Sequence, residues 1–279
     1  MAEPAGVKEE TIQSPGATIF LRSQRPAGKP RAVVVINHGF NAHSGQYLSV
    51  MDQFVARGFA VYAHDMRGRG KSSGPRFYVD SVDEYASDLA AAVKLAKSRE
   101  PGLPVFLLAH SAGGVTSCIY CLGSQSELAG FICEDFAFMI PAPDFALTVI
   151  KWISAIAPRL PLLKLKNVDF SRDPAAVAAL NSDPLIANET QPAKTLAALV
   201  RAADRLKVEF SRITLPIFIV HGTGDKVTRY QGSQYFQEHA SSKDKTLKLY
   251  DGGYHDLLHD TIKDTVFADI AAWIEKRLS

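Results

Sequence analysis

The stretch Val105-Phe-Leu-Leu-Ala-His-Ser111-Ala-Gly-Gly-Val115 decides the fold of this 279-residue chain. Apolar residues run almost directly into Ser111 and small residues follow it, so the pattern predicts a buried strand, a tight turn and a helix. The residues two positions before and after the serine must be small for strand and helix to approach, and Ala109 and Gly113 are. The stretch therefore predicts a nucleophile elbow, with Ala109 at the first glycine position of G-x-S-x-G.

Similar apolar runs recur along the chain. They lie at residues 32–37, 59–64, 105–110, 130–135, 217–221 and 246–250. Most are continuous rather than alternating, as expected of strands buried on both faces. Helical patterns lie between them, and the clearest begins at Ser81, which forms a capping box with Glu84. The alternation predicts an α/β fold, a mostly parallel sheet with helices on both faces, and residues 11–23 predict an antiparallel edge before it.

The alternation is interrupted between residues 138 and 213, where no buried strand is predicted. This segment is rich in Pro, Ala and Leu, and Trp152, Ile153 and Ile156 share one helical face. A structureless loop of this length would be exceptional in a compact domain, so we expect a helical cap. The core is then expected to comprise residues 1–137 and 214–279.

A nucleophilic serine needs a base, and the base needs an orienting acid. His255 is the candidate base, because it follows the run at 246–250 in a glycine-containing loop, where open α/β sheets form their sites. Asp225 is the candidate acid, because it follows the run at 217–221 and lies between the serine and the histidine in chain order. The alternatives are His259 for the base and Glu134 or Asp135 for the acid.

A tetrahedral intermediate needs two backbone N–H donors for its oxyanion. Ala112, directly after the serine, is expected to supply one of them. Phe40, in the loop after the run at 32–37, is expected to supply the other. Asn41 and His110 adjoin these positions and are predicted to contact the substrate.

Composition excludes several classes of function. The 31 basic and 29 acidic residues give a formal charge of +2 without a basic run, so no nucleic-acid partner is expected. No stretch of 18 apolar residues occurs and the polar first ten residues lack a signal-peptide pattern, so we expect a cytoplasmic protein without stable membrane insertion. Cys118 and Cys121 form a C-x-x-C without further ligands at metal-site spacing, so neither a metal site nor a redox role of these cysteines is expected.

Taken together, these motifs resemble the α/β-hydrolase superfamily and, within it, the monoacylglycerol lipase and lysophospholipase-like group. The motifs lie in the family's order at residues 38–40, 43–47, 63–74, 109–114, 181–185, 221–225 and 252–257. The resemblance implies an eight-stranded sheet with a helical cap, and serine esterase chemistry without a cofactor. It also implies a Ser111–Asp225–His255 triad with Phe40 and Ala112 as the oxyanion donors.

The leading hypothesis is a serine carboxylic-ester hydrolase that cleaves short-to-medium acyl or other single-chain esters through an acyl-enzyme on Ser111. Trp152, Ile153 and Ile156 are then expected to line an acyl channel, and the cap to make transient contact with a lipid surface. The alternatives are a lysophospholipase or thioesterase of the same fold and a non-catalytic receptor that retains the pocket.

The chain departs from the family's mammalian enzymes beside the second motif. Those enzymes carry a glutamate and an arginine that help to hold the glycerol head, whereas Ala42 and Gln46 occupy the matching positions here. Simple alkyl or aryl esters are therefore expected to compete well with monoacylglycerols.

Overall fold

The chain is built around one eight-stranded sheet, and a computed structural model describes residues 6–278, the side chain of residue 144 excepted. Residues 6–278 contain ten strands, of which β7 and β8 form a separate pair outside this sheet. The strands are β1 (Lys8–Ser14), β2 (Ala17–Gln24), β3 (Ala32–Asn37), β4 (Phe59–His64), β5 (Val105–His110), β6 (Gly130–Glu134), β7 (Pro161–Leu163), β8 (Gln191–Pro192), β9 (Ile217–Gly222) and β10 (Lys245–Tyr250). The sheet order is β1-β2-β4-β3-β5-β6-β9-β10. Strands β1 and β2 are antiparallel to their neighbours and the others pair in parallel, which confirms the predicted sheet.

Eight α-helices are found in residues 6–278. They are α1 (Leu48–Ala56), α2 (Val82–Arg99), α3 (Ala112–Ser124), α4 (Asp144–Ile156), α5 (Pro174–Ser182), α6 (Ala193–Glu209), α7 (Tyr230–His239) and α8 (Lys263–Glu275). The predicted capping box is present at the start of α2. The hydroxyl of Ser81 accepts from the backbone N–H of Asp83, and Glu84 accepts from that of Ser81. Two N–H groups that the helix leaves unpaired are satisfied in this way.

The central strands β3, β4, β5, β6 and β9 are buried on both faces, which explains their continuous apolar runs. Val34 and Val35, adjacent in β3, point into different cores because successive side chains of a strand face opposite ways. Val35 packs in the core beneath α2, α3, α6 and α7. Val34 packs in the core beneath α1 and α8, together with Phe54 and Trp273.

The chain leaves the sheet between β6 and β9, and we call residues 135–216 the insertion. It contains α4, α5, α6 and the short antiparallel pair of β7 and β8. Helix α4 packs against α6, and α6 packs in turn against α2 and α3. Leu199 and Leu206 of α6 belong to the core that α6 shares with α2, α3 and α7, so the insertion is anchored to the sheet by its last helix.

Two further features concern cysteines and membranes. Cys118, Cys121 and Cys133 are free and fully buried, and burial raises the pKa of each thiol. Among residues 6–278, no helix combines the length and the apolar character needed to cross a membrane.

Candidate active site

Ser111 lies at the turn that joins β5 to α3. Its backbone has φ 55° and ψ −120°, a left-handed conformation that a non-glycine residue adopts only when the surroundings enforce it. The turn is held by a 2.9 Å hydrogen bond from the Ser111 N–H to the carbonyl of Glu134 in β6. A Cβ at Gly113 would lie 2.3 Å from the carbonyl oxygen of Asn37, so only glycine lets α3 approach β3 this closely. The strand, turn and helix that the elbow pattern predicts are all present.

Ser111, His255 and Asp225 form a continuous chain of hydrogen bonds. His255 Nε2 lies 2.9 Å from Ser111 Oγ, and His255 Nδ1 lies 2.8 Å from Asp225 Oδ2. We assign the proton to Nδ1, because the carboxylate only accepts, which leaves Nε2 to accept from the serine. The three residues follow the carboxyl ends of β5, β10 and β9, so the parallel strands bring together residues up to 144 positions apart.

The Asp225 carboxylate accepts hydrogen bonds from five donors. They are His255 Nδ1 (2.8 Å), His221 Nε2 (3.1 Å), Thr228 Oγ1 (2.6 Å) and the backbone N–H groups of Val227 (2.7 Å) and Thr228 (3.0 Å). Burial raises the pKa of Asp225, but His255 and His221 outweigh it and hold that pKa well below its usual range. The carboxylate therefore remains ionised beside His255, where it stabilises an imidazolium.

The alternative acids and base have other partners. Asp135 accepts a 2.8 Å hydrogen bond from a backbone N–H of β9, and Glu134 accepts one of 2.8 Å from the loop after His255. Burial raises the pKa of both carboxyls, that of Glu134 to about 8. His259 is paired with Asp256 at 2.7 Å. The geometry thus favours Asp225 and His255 over all three alternatives.

The loop after β3 presses against the serine. A Cβ at Gly39 would lie 2.8 Å from Ser111 Cβ, so this glycine lets the backbone reach the nucleophile. Within residues 6–278 the backbone N–H groups of Phe40 and Ala112 donate no hydrogen bond. Two unpaired N–H groups beside a serine are what an oxyanion requires.

A cavity of about 260 Å³ opens in front of Ser111. It lies between the insertion and the core, and its wall is largely apolar. The wall includes Phe40, Ala137, Leu165, Leu196, Leu199 and Val227. Lys164, Lys166 and Lys226 also border it. Such a cavity suits the hydrocarbon part of an ester.

The prediction that Trp152, Ile153 and Ile156 line this cavity is wrong. None of the three borders it, and Trp152 and Ile156 are 71% and 84% exposed. Helix α4 is apolar on two sides, of which one packs on α6 and the other faces solvent. Helical periodicity identifies an apolar face but not what that face meets, which is why the prediction failed.

The two predicted substrate contacts beside the elbow also lie elsewhere. His110 does not border the catalytic cavity; its Nε2 donates to the carbonyl of His255 at 2.8 Å. Burial lowers the pKa of His110 to about 4, so its ring is neutral and supports the loop that carries His255. Asn41 borders a separate cavity of about 460 Å³ and donates to Asn167 Oδ1 at 3.1 Å.

His221 is a residue of the site that the sequence argument treated only as the end of a strand. Its Nε2 donates to Asp225, and its Nδ1 lies 2.7 Å from Ser233 Oγ. Ligand atoms of His221, Asp225 and Asp135 lie within 4.8 Å of one another. Asp225 is already saturated by protein donors, and of the other two only His221 contacts it directly, so we assign His221 to support of the acid. The H-G-T-G-D spacing, which brings a histidine and an aspartate around one tight turn, was the available signal.

The serine at a strained elbow, its histidine and aspartate, and the helical insertion after β6 together define an α/β-hydrolase. The family model described as serine aminopeptidase, S33, matches residues 28–262. The chain therefore belongs to the serine aminopeptidase S33 family.

Two similar proteins and one solved structure carry the name of a monoacylglycerol or monoglyceride lipase. The chain is 32% identical over 267 residues to the monoacylglycerol lipase of Mycolicibacterium smegmatis, covering 94% of this chain and 95% of that one. It is 30% identical over 272 residues to the human monoglyceride lipase, covering 95% and 89%. The crystal structure of the Paleococcus ferrophilus monoacylglycerol lipase has a TM-score of 0.82 at 30% identity, covering 92% of this chain and 99% of that one. The protein is a serine ester hydrolase of the monoacylglycerol lipase type.

Proposed function

We propose that Ser111, His255 and Asp225 cleave a carboxylic ester through an acyl-enzyme. Ser111 Oγ attacks the ester carbonyl while His255 Nε2 takes its proton, and Asp225 stabilises the resulting imidazolium. The oxyanion accepts from the N–H groups of Phe40 and Ala112. His255 then protonates the leaving alcohol, and a water molecule activated by the same nitrogen releases the acid. The unbroken hydrogen-bond chain from Asp225 to Ser111, opening on a cavity, is the observation that supports this proposal.

The substrate we propose is an ester with a single short-to-medium acyl chain. Residues 138–213 of the insertion act as a cap over the core formed by residues 6–137 and 214–278, and the apolar cavity between them receives the acyl chain. Each buried methylene contributes roughly 0.8 kcal/mol, so affinity should rise with chain length until the cavity is full. A triacylglycerol would have to place two further chains outside this covered cavity.

The alcohol side of the ester is held only weakly in this proposal. Ala42 is buried and has no polar side chain, and Gln46 donates its amide to Asp183 at 3.1 Å. The same Asp183 oxygen also contacts His43 Nε2 at 2.7 Å. The Gln46 amide is therefore already hydrogen-bonded within the protein. Simple esters should therefore compete well with glycerol esters of the same acid.

We also propose that the cap makes transient contact with a lipid surface. Phe145, Val149, Trp152 and Ile156 occupy one side of α4 at successive turns. They are exposed by 72%, 47%, 71% and 84%, which forms an apolar stripe of the kind that marks contact with a partner or membrane.

The experiment is a series of esters from two to eighteen acyl carbons on one leaving group, followed by a monoacylglycerol and the methyl ester of the same acid. We expect kcat/KM to rise and then level off with chain length, and the last two substrates to be similar. Ser111→Ala should lower kcat by about 10⁶ while the fold persists. A folded Ser111→Ala protein with near-wild-type turnover would contradict the mechanism. Efficient cleavage of emulsified long-chain triacylglycerol would contradict the covered cavity.

A further inference from the structure

A fully buried ion pair connects the insertion to the core. Arg69, in the loop after β4, is inaccessible to solvent, and its Nη1 donates to Oε1 of Glu189, which lies just before β8 and is 2% exposed. Removing two charges from water is costly, so such a pair adds little to stability compared with a well-packed apolar pair. Its position, rather than its energy, indicates what the pair does.

The ion pair encloses the loop that carries the Phe40 N–H. The same Glu189 oxygen accepts from the backbone N–H of Asn41 at 2.9 Å. The guanidinium of Arg69 lies over the Phe40 ring, 4.0 Å from its centroid. Asn41 itself has φ 53°, in the left-handed region that a non-glycine residue seldom adopts without such support.

Further contacts make the pair rigid. Arg69 Nη2 donates to Gln191 Oε1 at 2.8 Å, and Gln191 Nε2 donates to Glu189 Oε1 at 2.6 Å. Arg69 Nε donates to the hydroxyl of Tyr85 in α2 at 3.4 Å. Glu189 and Gln191 belong to the insertion, whereas Arg69, Phe40 and Asn41 belong to the core.

We propose that Glu189, paired with Arg69, is a positioning residue that holds residues 39–41 in the conformation in which the Phe40 N–H points at the oxyanion. This inference rests on the proposed function, because it requires Phe40 as a donor. Glu189 holds the peptide on one side of Phe40, and Arg69 holds its side chain. Donors arranged in advance of the reaction stabilise the transition state more than the bound ester, so their displacement lowers kcat more than it raises KM.

The test is Glu189→Gln, which keeps the size of the side chain and removes the charge that binds Arg69. We expect kcat on a short ester to fall roughly 10- to 100-fold, with KM changed by no more than about twofold. The Ki of an alkylboronic acid, which forms a tetrahedral adduct with the serine, should rise by the same factor as kcat falls.

The matched control is Glu100→Gln, which changes a glutamate that is 4% exposed and paired with Arg25 at the opposite edge of the sheet. It should lower thermal stability but leave kcat and the boronate Ki unchanged. Equal losses of kcat in both variants, or none in folded Glu189→Gln, would overturn the inference. Wild-type activity in a folded Ser111→Ala variant would instead overturn the proposed function.

A double variant, Arg69→Met with Glu189→Met, covers the case in which Glu189→Gln does not fold. It fills the same space without leaving a buried charge unpaired, so the fold should persist although Asn41 and Gln191 lose hydrogen-bond partners. The Asn41 N–H still loses its acceptor, so kcat should remain low and the boronate Ki high. A stable double variant with wild-type kcat would overturn the inference.

Discussion

At the scale of single residues, the acid of the site has more partners than its role as an acceptor from His255 requires. Asp225 also accepts from His221, Thr228 and two backbone N–H groups. These donors fix the orientation of the carboxylate and keep it ionised. The imidazole of His255 is therefore held in one tautomer before any substrate arrives.

Asp225→Asn tests this arrangement. The amide preserves the size of the side chain but favours the wrong tautomer of His255, so kcat should fall by roughly 10⁴ with little change in fold. The matched control is Asp135→Asn, which changes a second buried carboxyl beside His221. Its oxygen can still accept from β9, and kcat should stay within about threefold. If Asp135→Asn proved the damaging change and Asp225→Asn the mild one, the acid would be wrongly assigned.

Residues at strand ends could be predicted from the sequence, and residues held by distant partners could not. Ser111, Asp225 and His255 follow apolar runs, and the carboxyl ends of parallel strands meet at one edge. Glu189 offers no such signal, because its partners Arg69 and Asn41 lie 120 and 148 positions away. Local patterns carry no information about contacts of that kind.

At the scale of elements, the strands were the most predictable part of the molecule. The predicted run at 32–37 coincides with β3 and the run at 105–110 with β5, because continuous apolar sequence is typical of strands covered on both faces. Helix α4 was predictable as a helix but not in its orientation. Its two apolar sides are equivalent in sequence, and only the packing against α6 distinguishes them.

The exposed side of α4 leads to a prediction about lipid binding. Trp152→Ser should lower the fraction of protein that sediments with phosphatidylcholine vesicles several-fold, because an interfacial tryptophan loses its apolar contact. Turnover of a short, water-soluble ester should not change. The matched control is Val208→Ser in α6, an apolar residue that is 79% exposed outside the stripe. Equal vesicle binding by all three proteins would refute lipid contact by α4.

At the scale of the whole molecule, the partly buried ion pair of His259 and Asp256 makes stability depend on pH. Burial lowers the pKa of His259, but the Asp256 carboxylate outweighs it and raises that pKa to about 9. The folded protein therefore keeps this proton at pH values where the unfolded chain, with a histidine pKa of about 6.5, has lost it. Unfolding at higher pH releases the proton. The stabilisation that this pair contributes is therefore fully present below pH 6.5 and is lost as the pH rises towards 9.

Urea unfolding at pH 6.5 and pH 9 measures this effect. The free energy of unfolding of the wild type should be lower at pH 9. Glu134, whose pKa burial raises to about 8, contributes in the same direction from about pH 4.5 upwards. His259→Gln should make the difference between the two pH values smaller, whereas His239→Gln, on the exposed surface of α7, should leave it unchanged. A wild type equally stable at both pH values would show that the pair does not carry this linkage.

The three enclosed cysteines make the protein a convenient background for site-specific labelling. Thiolates, not thiols, react with maleimides, and Cys118, Cys121 and Cys133 are neither accessible nor readily ionised. A single cysteine introduced in place of Val168, which is 59% exposed in the insertion, would carry a fluorophore without removal of any of the three native cysteines. Movement of the insertion during turnover then becomes a spectroscopic observable in the otherwise unaltered enzyme.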